Sequence, residues 1–262
     1  MYPRATVDLA LLLSGLDVLD RENAQICNVS IQAIRHWRTG DRRHGDGTGG
    51  REAPRCPRCH DCRLDETAYS YLLGLYLGDG HIVRTARSYL LTVACSDRWP
   101  GLLREAQLAT RRVMPASSVF LRSRRGVACT YVSSVSKHWP CLFPQHGPGR
   151  KHEREIKLEP WQQEIVTTYP GDFARGLFHS DGYRGSNTVR RPVIGGERSY
   201  EYPRYLFDNH SVDILRLCGE VLDSLGVAWR FSKPTTISVA RRDAVARRDA
   251  VARLDEFVGA KY

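Results

Sequence analysis

Two stretches in register 102 positions apart, "YLLGLYLGDG" (71–80) and "FARGLFHSDG" (173–182), constrain this chain more than any other feature. Each reads as an apolar helix that ends on Asp-Gly. Gly74 and Gly78 lie four apart, as do Gly176 and Ser180, so each pair shares one helix face. Small residues at that spacing let two helix backbones come close. If the two helices lie side by side, Asp79 and Asp181 emerge next to each other at their ends. Gly80 and Gly182 are then free to take the left-handed conformation that stops a helix. Two carboxylates at the negative ends of two helices repel one another, and a divalent cation held by hard oxygen ligands neutralises them. A lone Asp-Gly is merely a turn dipeptide. The pairing is what makes a site.

The same order of patterns surrounds each motif. After the first come strand-like "HIVRT" and "YLLTVACS", a helix in "DRWPGLLREAQLATRRVM", and alternating "SSVFLRS" and "GVACTYVSSVS". A short helix follows near 139–143, then a loop, then a helix over 159–169. After the second motif come a strand over 183–190, an insertion "RRPVIGGERSYEYP", strand "RYLFDNHS", and helix "VDILRLCGEVLDSLG". Strands "VAWRFS" and "TISVAR" and a terminal helix complete it. Both halves run helix, two strands, helix, two strands, helix, an internal repeat of architecture with weak identity.

"YLLGLYLGDG" and "FARGLFHSDG" resemble the two motifs of a LAGLIDADG homing endonuclease in its single-chain, two-repeat form, over roughly 66–262. The resemblance is strongest at Gly74, Leu75, Asp79 and Gly80 and at Gly176, Leu177, Asp181 and Gly182. It implies an α+β fold of two αββαββα repeats whose sheets form a pseudo-two-fold saddle on double-stranded DNA. It also implies a monomer with internal pseudo-symmetry. Asp79 and Asp181, with their flanking Gly80 and Gly182, would sit at the metal, Mg²⁺ or Mn²⁺, and two phosphodiesters would be hydrolysed. Leu77 and His179 occupy the family's earlier acidic position. A peripheral basic residue assists in the family, and Arg241 and Lys137 are candidates for that role.

Four segments are expected: 1–40, 41–65, a first repeat at 66–158 and a second at 159–262. In the first segment Leu9, Leu12, Leu13 and Leu16 recur at helical spacing. "RENAQICNVSIQAIRHWRTG" then reads as a short helix, a turn at Asn28-Val29, and a second helix capped by Ser30. Ile31, Ile34 and Trp37 would face its core, leaving Gln32, Arg35, His36 and Arg38 outside. That is a helix-turn-helix layout, whose second helix enters the major groove. Lys and Arg number 39 against 29 Asp and Glu, a net charge of +10. Such an excess points to a polyanion partner, and Arg grips phosphate with paired hydrogen bonds. Arg150, Lys151 and Arg154, between the repeats, are a candidate phosphate clamp; a solvated loop reads equally well.

The 41–65 linker carries "CPRCHDC". Cys56, Cys59 and Cys62 are half of a tetrahedral zinc pattern, with no second CxxC or HxxxH downstream. Cys95, Cys129 or Cys141 would supply a ligand only through the fold, and His60 adjoins Cys59 too closely to share its ion. The tail holds a tandem "RRDAVARRDAVA" (241–252), a six-residue insertion that turns a helix off its original face by about 120°. Val251, Leu254 and Val258 keep one apolar face, so one copy is expected to lengthen the helix or to bulge. No run of 18 apolar residues occurs, and Asp8 and Asp17 argue against a signal peptide. A cytoplasmic, nucleoid-associated protein is expected. The alternative function is a transcription regulator that binds DNA on the same scaffold without cutting it. Both motif acids are present, which favours the nuclease. An intein-embedded nuclease is disfavoured, because splicing residues are lacking at either end.

Overall fold

The computed structural model describes residues 2–39, 56–60, 62–123, 126–193, 196–239, 244–259 and 261–262, without the side chains of 39, 191, 193 and 244–249. Two compact units divide at Arg55: Met1–Arg55 and Cys56–Tyr262. The Cys56–Cys62 turn, read above as part of a linker, therefore belongs to the larger unit. Residues 40–55 lie outside the described residues. Among the described residues, no helix is long and apolar enough to cross a membrane.

The small unit is three helices: α1 (Arg4–Gly15), α2 (Asp20–Ile26) and α3 (Ile31–Thr39). The turn between α2 and α3 passes through Asn28 at φ 51°, and the Ser30 hydroxyl accepts the Ala33 N–H at 3.1 Å, as an N-cap does. Val7, Ala10, Ala24, Cys27, Ile34 and Trp37 form its core. One expectation fails here: Ile31 points outward. Leu9, Leu12 and Leu16 of α1 are exposed, Leu16 by 67%. Val7 and Ala10 bury the opposite stripe of α1 instead. Three short helices enclose too little volume to cover a second apolar face.

The large unit is α+β, built twice to one plan. Helix α4 (Glu66–Asp79) leads to β1 (Gly80–Arg84), β2 (Tyr89–Ser96), α5 (Pro100–Val113), β3 (Val119–Ser123), β4 (Cys129–Ser136) and the short α6 (Trp139–Leu142). After α7 (Pro160–Thr168) the order recurs as α8 (Pro170–Asp181), β5 (Gly182–Val193), β6 (Gly196–Asp208), α9 (Val212–Ser224), β7 (Arg230–Lys233), β8 (Thr236–Val239) and α10 (Ala244–Val258). Each repeat makes a four-stranded antiparallel sheet, ordered β1-β2-β4-β3 and β5-β6-β8-β7. The register is equivalent as well: Gly80 faces Val93, and Gly182 faces Phe207.

The insertion expected at "RRPVIGGERSYEYP" (190–203) is instead ladder over its described residues. It continues β5 and β6 into one long hairpin, with Pro192 opposite Glu197 and Val193 opposite Gly196. Only Tyr205–Asp208 of β6 pair with β8, so the outer part of the hairpin extends past the sheet. In the tail, α10 opens inside the first hexapeptide copy and runs unbroken through the second, so the duplication adds helix. Val251, Leu254 and Val258 face the core as expected, and Ala250 joins them, while 240–243 lie outside the described residues.

Candidate active site

Helix α4 is capped by the Asp65 carboxylate, which accepts the Ala68 N–H at 3.0 Å. Every residue from Ala68 to Leu77 is buried, the mark of a helix enclosed on all sides. Its partner is α8, and the glycines explain why no other residue serves. A Cβ on Gly74 would lie 2.5 Å from the Phe173 carbonyl and 2.8 Å from the Gly176 Cα. One on Gly176 would strike the Tyr71 carbonyl, and would stand 2.9 Å from the Leu75 nitrogen. One on Gly78 would run into the Ser180 side chain and meet an Asp181 carboxylate oxygen at 2.9 Å. The Asp181 carboxylate thus lies against the last turn of α4, one residue from Asp79. The structure brings the two acids together.

Gly80 and Gly182 do not stop their helices in the left-handed conformation expected above. Their backbones are extended, at φ −92° and −89°, and each begins a strand. Glycine is required there because a Cβ would lie 2.5 Å from the Tyr76 Cα or the Phe178 carbonyl of the helix just ended. The Gly182 carbonyl accepts the Lys261 ammonium at 2.5 Å, so that oxygen is engaged by a lysine rather than turned to a metal.

The electrostatics are those of a negative pair between two lysines. Asp181 is half-buried and accepts the Asn209 amide at 2.7 Å; Asn209 is itself fixed by accepting the Ser211 N–H at 2.8 Å. Asp79 has solvent-accessible surface, although protein crowds its inner side. Its carboxyl is pushed up to about 6, chiefly by desolvation and then by the charge of Asp181, and water at the open side screens part of that effect. Desolvation raises Asp181 too, against the Asn209 hydrogen bond and both lysines. Lys151 donates to the Tyr76, Leu77 and Gly78 carbonyls at 2.6, 2.8 and 2.6 Å, closing the C-terminus of α4. Lys261 does the same for α8, at the Ser180 and Gly182 carbonyls. Burial pushes Lys151 down to about 8 and lowers Lys261, while the two acids oppose both shifts.

Other sequence candidates fall elsewhere. Lys137 is exposed beside His138, and the cations acting on Asp79 are Lys151 and Lys261. Arg241 lies outside the described residues. Of the inter-repeat clamp only Arg150 is exposed. Lys151 turns inward to α4, and Arg154 spends its guanidinium on the Gln145, Gly147, Pro148 and Gly149 carbonyls of its own loop. Leu77 and His179 face the core. His179 bonds to the Tyr71 hydroxyl at 3.0 Å and the Val258 carbonyl at 2.9 Å, and burial drops it to about 4, keeping it neutral at pH 7. On α3, Gln32, Arg35, His36 and Arg38 are exposed, with Arg35 and Arg38 each 2.9 Å from Asp20 of α2.

Sequence reasoning missed Asn209 and Lys261. Lys261 had a signal: only five lysines stand among 39 basic residues, and Lys151 and Lys261 follow the two motif acids by 72 and 80 positions. Asn209 had none, because its partner is 28 residues away. Cys56 and Cys59 converge with His138 and Cys141, while Cys62 stands apart with its thiol 3.5 Å from the His60 carbonyl.

No family model matches the chain, and no curated protein sequence matches it. Solved structures do. Mesophilic variants of the homing endonuclease I-DmoI align over 74% of this chain and 97% of theirs, at 13% identity and TM-score 0.47. The LAGLIDADG meganuclease I-AabMI bound to uncleaved DNA aligns over 72% and 83%, at 10% identity and TM-score 0.46. A lysine-to-alanine mutant of I-SmaMI aligns over 73% and 85%, at 10% identity and TM-score 0.45. At that distance none of their properties passes to this chain.

Proposed function

We propose that this chain is a site-specific double-strand DNA endonuclease of LAGLIDADG homing type that hydrolyses phosphodiesters with a divalent metal, acting as a pseudo-symmetric monomer. One observation carries the reading: two carboxylates, one from each repeat, meet at one place where neither is neutralised by a direct ion pair among the described residues. Asp79 and Asp181 are hard oxygen donors with solvent access and elevated carboxyl values, which fits Mg²⁺ or Mn²⁺. When bound, such an ion polarises the phosphate and activates water.

The remaining work belongs to the chain's own groups. Asn209 fixes the direction of the Asp181 carboxylate. Lys151 and Lys261 hold positive charge beside the acids, where it stabilises the oxyanion of the departing strand. Lys151 gives three hydrogen bonds to three carbonyls, whereas Lys261 gives two among the described residues, leaving an N–H for a phosphate oxygen. Phe178 of α8 packs on Tyr205 and Phe207 at 5.4 and 5.6 Å between ring centres, so that face of the second sheet is its inner one. The opposite face, with Tyr183, Arg198, Tyr200, Tyr202 and Arg204 in alternation along β5 and β6, presents the stacking and phosphate-binding groups that DNA requires. In the small unit, Gln32 and His36 on α3 are the base-contacting candidates, with Arg35, Arg38 and Arg150 for phosphates.

The test is cleavage of a plasmid library bearing flanking genomic sequence, in Mg²⁺, by wild type, Asp79→Asn and Asp181→Asn. Strand scission by wild type, with a loss of at least about 10³-fold in either variant while binding persists, is the expected result. Equal binding by all three proteins with no scission by any would make the chain a regulator that holds DNA through the same surfaces.

A further inference from the structure

The half-motif Cys56-x-x-Cys59 has its complement in the fold. His138-x-x-Cys141, in "HWPC", lies about eighty residues later at the start of α6, and the sequence pattern sought above missed it because it mixes the two ligand types. One donor atom from each of Cys56, Cys59, His138 and Cys141 lies within 4.8 Å of every other. The Cys59 and Cys141 sulfurs are 3.4 Å apart, and the Cys141 sulfur is 3.9 Å from His138 Nδ1. Tetrahedral zinc with Zn–S bonds of about 2.3 Å sets its ligand atoms about 3.8 Å apart, a value bracketed by the Cys59–Cys141 and Cys141–His138 distances. We propose that these four residues hold one structural zinc ion in a Cys₃His site.

The surroundings support a site rather than a chance gathering of thiols. The Cys59 and His60 N–H groups both donate to the Cys56 carbonyl, at 3.2 and 2.9 Å, so the CxxC turn is already wound. His60, rejected as a ligand, takes a supporting place: its Nδ1 accepts the Cys56 N–H at 3.0 Å. Its ring also stands edge-on to that of His138, with centres 5.3 Å apart, which restrains the ligand ring. Cys56 is fully buried, and the neighbouring Arg58 lies over the Trp161 ring of α7 at 4.5 Å. Four donors from two half-motifs, at CxxC and HxxC spacing, exceed what a single Cys59–Cys141 disulfide would need. In this position the ion joins the turn that precedes α4 to the turn that follows β4, so the first repeat is pinned at both its ends. The role is independent of the acids.

The experiment is metal analysis of the full chain, expressed in zinc-supplemented medium and purified reduced and without chelator, alongside Cys59→Ser, Cys141→Ser, Cys62→Ser and Asp79→Asn. About one zinc per chain is expected in wild type, Cys62→Ser and Asp79→Asn, falling below about a tenth in the other two. Cys59→Ser or Cys141→Ser protein could lose metal by unfolding, so wild type stripped of zinc and titrated with Co²⁺ supplies a second readout. The intense visible bands of a tetrahedral cobalt–thiolate centre, at one equivalent, are expected. Zinc below a tenth of an equivalent in wild type, zinc retained by both Cys59→Ser and Cys141→Ser, or a Cys59–Cys141 disulfide found by thiol counting in the reduced preparation would each overturn the assignment. Because Asp79→Asn must keep its zinc, failure here and failure of the nuclease reading are separate results.

Discussion

At the residue scale the centre is defined by what faces Asp79 and Asp181. An ammonium is a compact point charge whose affinity for its proton shifts readily on burial, whereas a guanidinium stays charged throughout. In a chain so rich in arginine, lysine at 151 and 261 is therefore informative. Lys151→Met and Lys261→Met keep the stem and remove the charge. Each is expected to lower single-turnover cleavage by about 10²-fold or more while altering DNA affinity little, as measured by quenched-flow and by electrophoretic mobility shift. Equal losses in affinity and rate would make both lysines mere helix caps. The acids were legible in the sequence, because Asp-Gly punctuates an apolar helix twice. The rarity of lysine marked Lys261, but its position beside Asp181 was not legible, because it depends on the Gly259 turn at φ 67° and on Tyr262, whose carbonyl accepts the Gly101 N–H at 2.6 Å at the start of α5.

At the scale of elements, the contact between α4 and α8 is made by backbone, which has no rotamer with which to yield. Gly176→Ala is expected to destabilise the large unit by about 3 kcal/mol, since an added methyl would meet only main-chain atoms. Gly147→Ala, whose Cβ would find ordinary contacts from 3.5 Å outward, is the control. Urea midpoints at constant slope decide between them. In the small unit, α2 and α3 are tied by Asp20 to Arg35 and Arg38. The Arg35 hydrogen bond leads in holding the Asp20 carboxyl below its ordinary value near 3.8. The folded state therefore binds that proton less readily than the unfolded chain. The stabilisation is complete above about pH 3.8 and is lost as pH falls through the lower folded-state value. Trp37, 4% exposed, reports on this core by NMR, and its acid transition is expected to move to higher pH in Asp20→Asn. Helix and strand order could be read from periodicity. The exposed leucines of α1 could not, since the same spacing serves a buried stripe and a solvated one. The β5–β6 extension was hidden because "PVIGGE" spells a loop, and only the pairing of Pro192 with Glu197 and of Val193 with Gly196 shows the strands continuing.

At the scale of the molecule, a net charge of +10 gathers on a scaffold with two equivalent sheets. If phosphate contacts dominate recognition, DNA affinity is expected to fall roughly 10³-fold between about 50 and 200 mM salt, read as a linear slope on logarithmic axes by fluorescence anisotropy. A flat slope would point away from the duplex as partner. The repeat was visible before any coordinates because both halves obey one order of elements. Their inequality was not. Strand β5 has 12 residues and β1 has five; β6 has 13 and β2 has eight. One arm of the protein therefore reaches about 20 Å farther than the other, at about 3.4 Å per residue. If the chain cuts DNA as proposed, a duplex laid across such a frame would be gripped farther along one flank than along the other. Its preferred address should be lopsided, informative over more base pairs on one side of the cut, and a perfect palindrome should be a poor substrate.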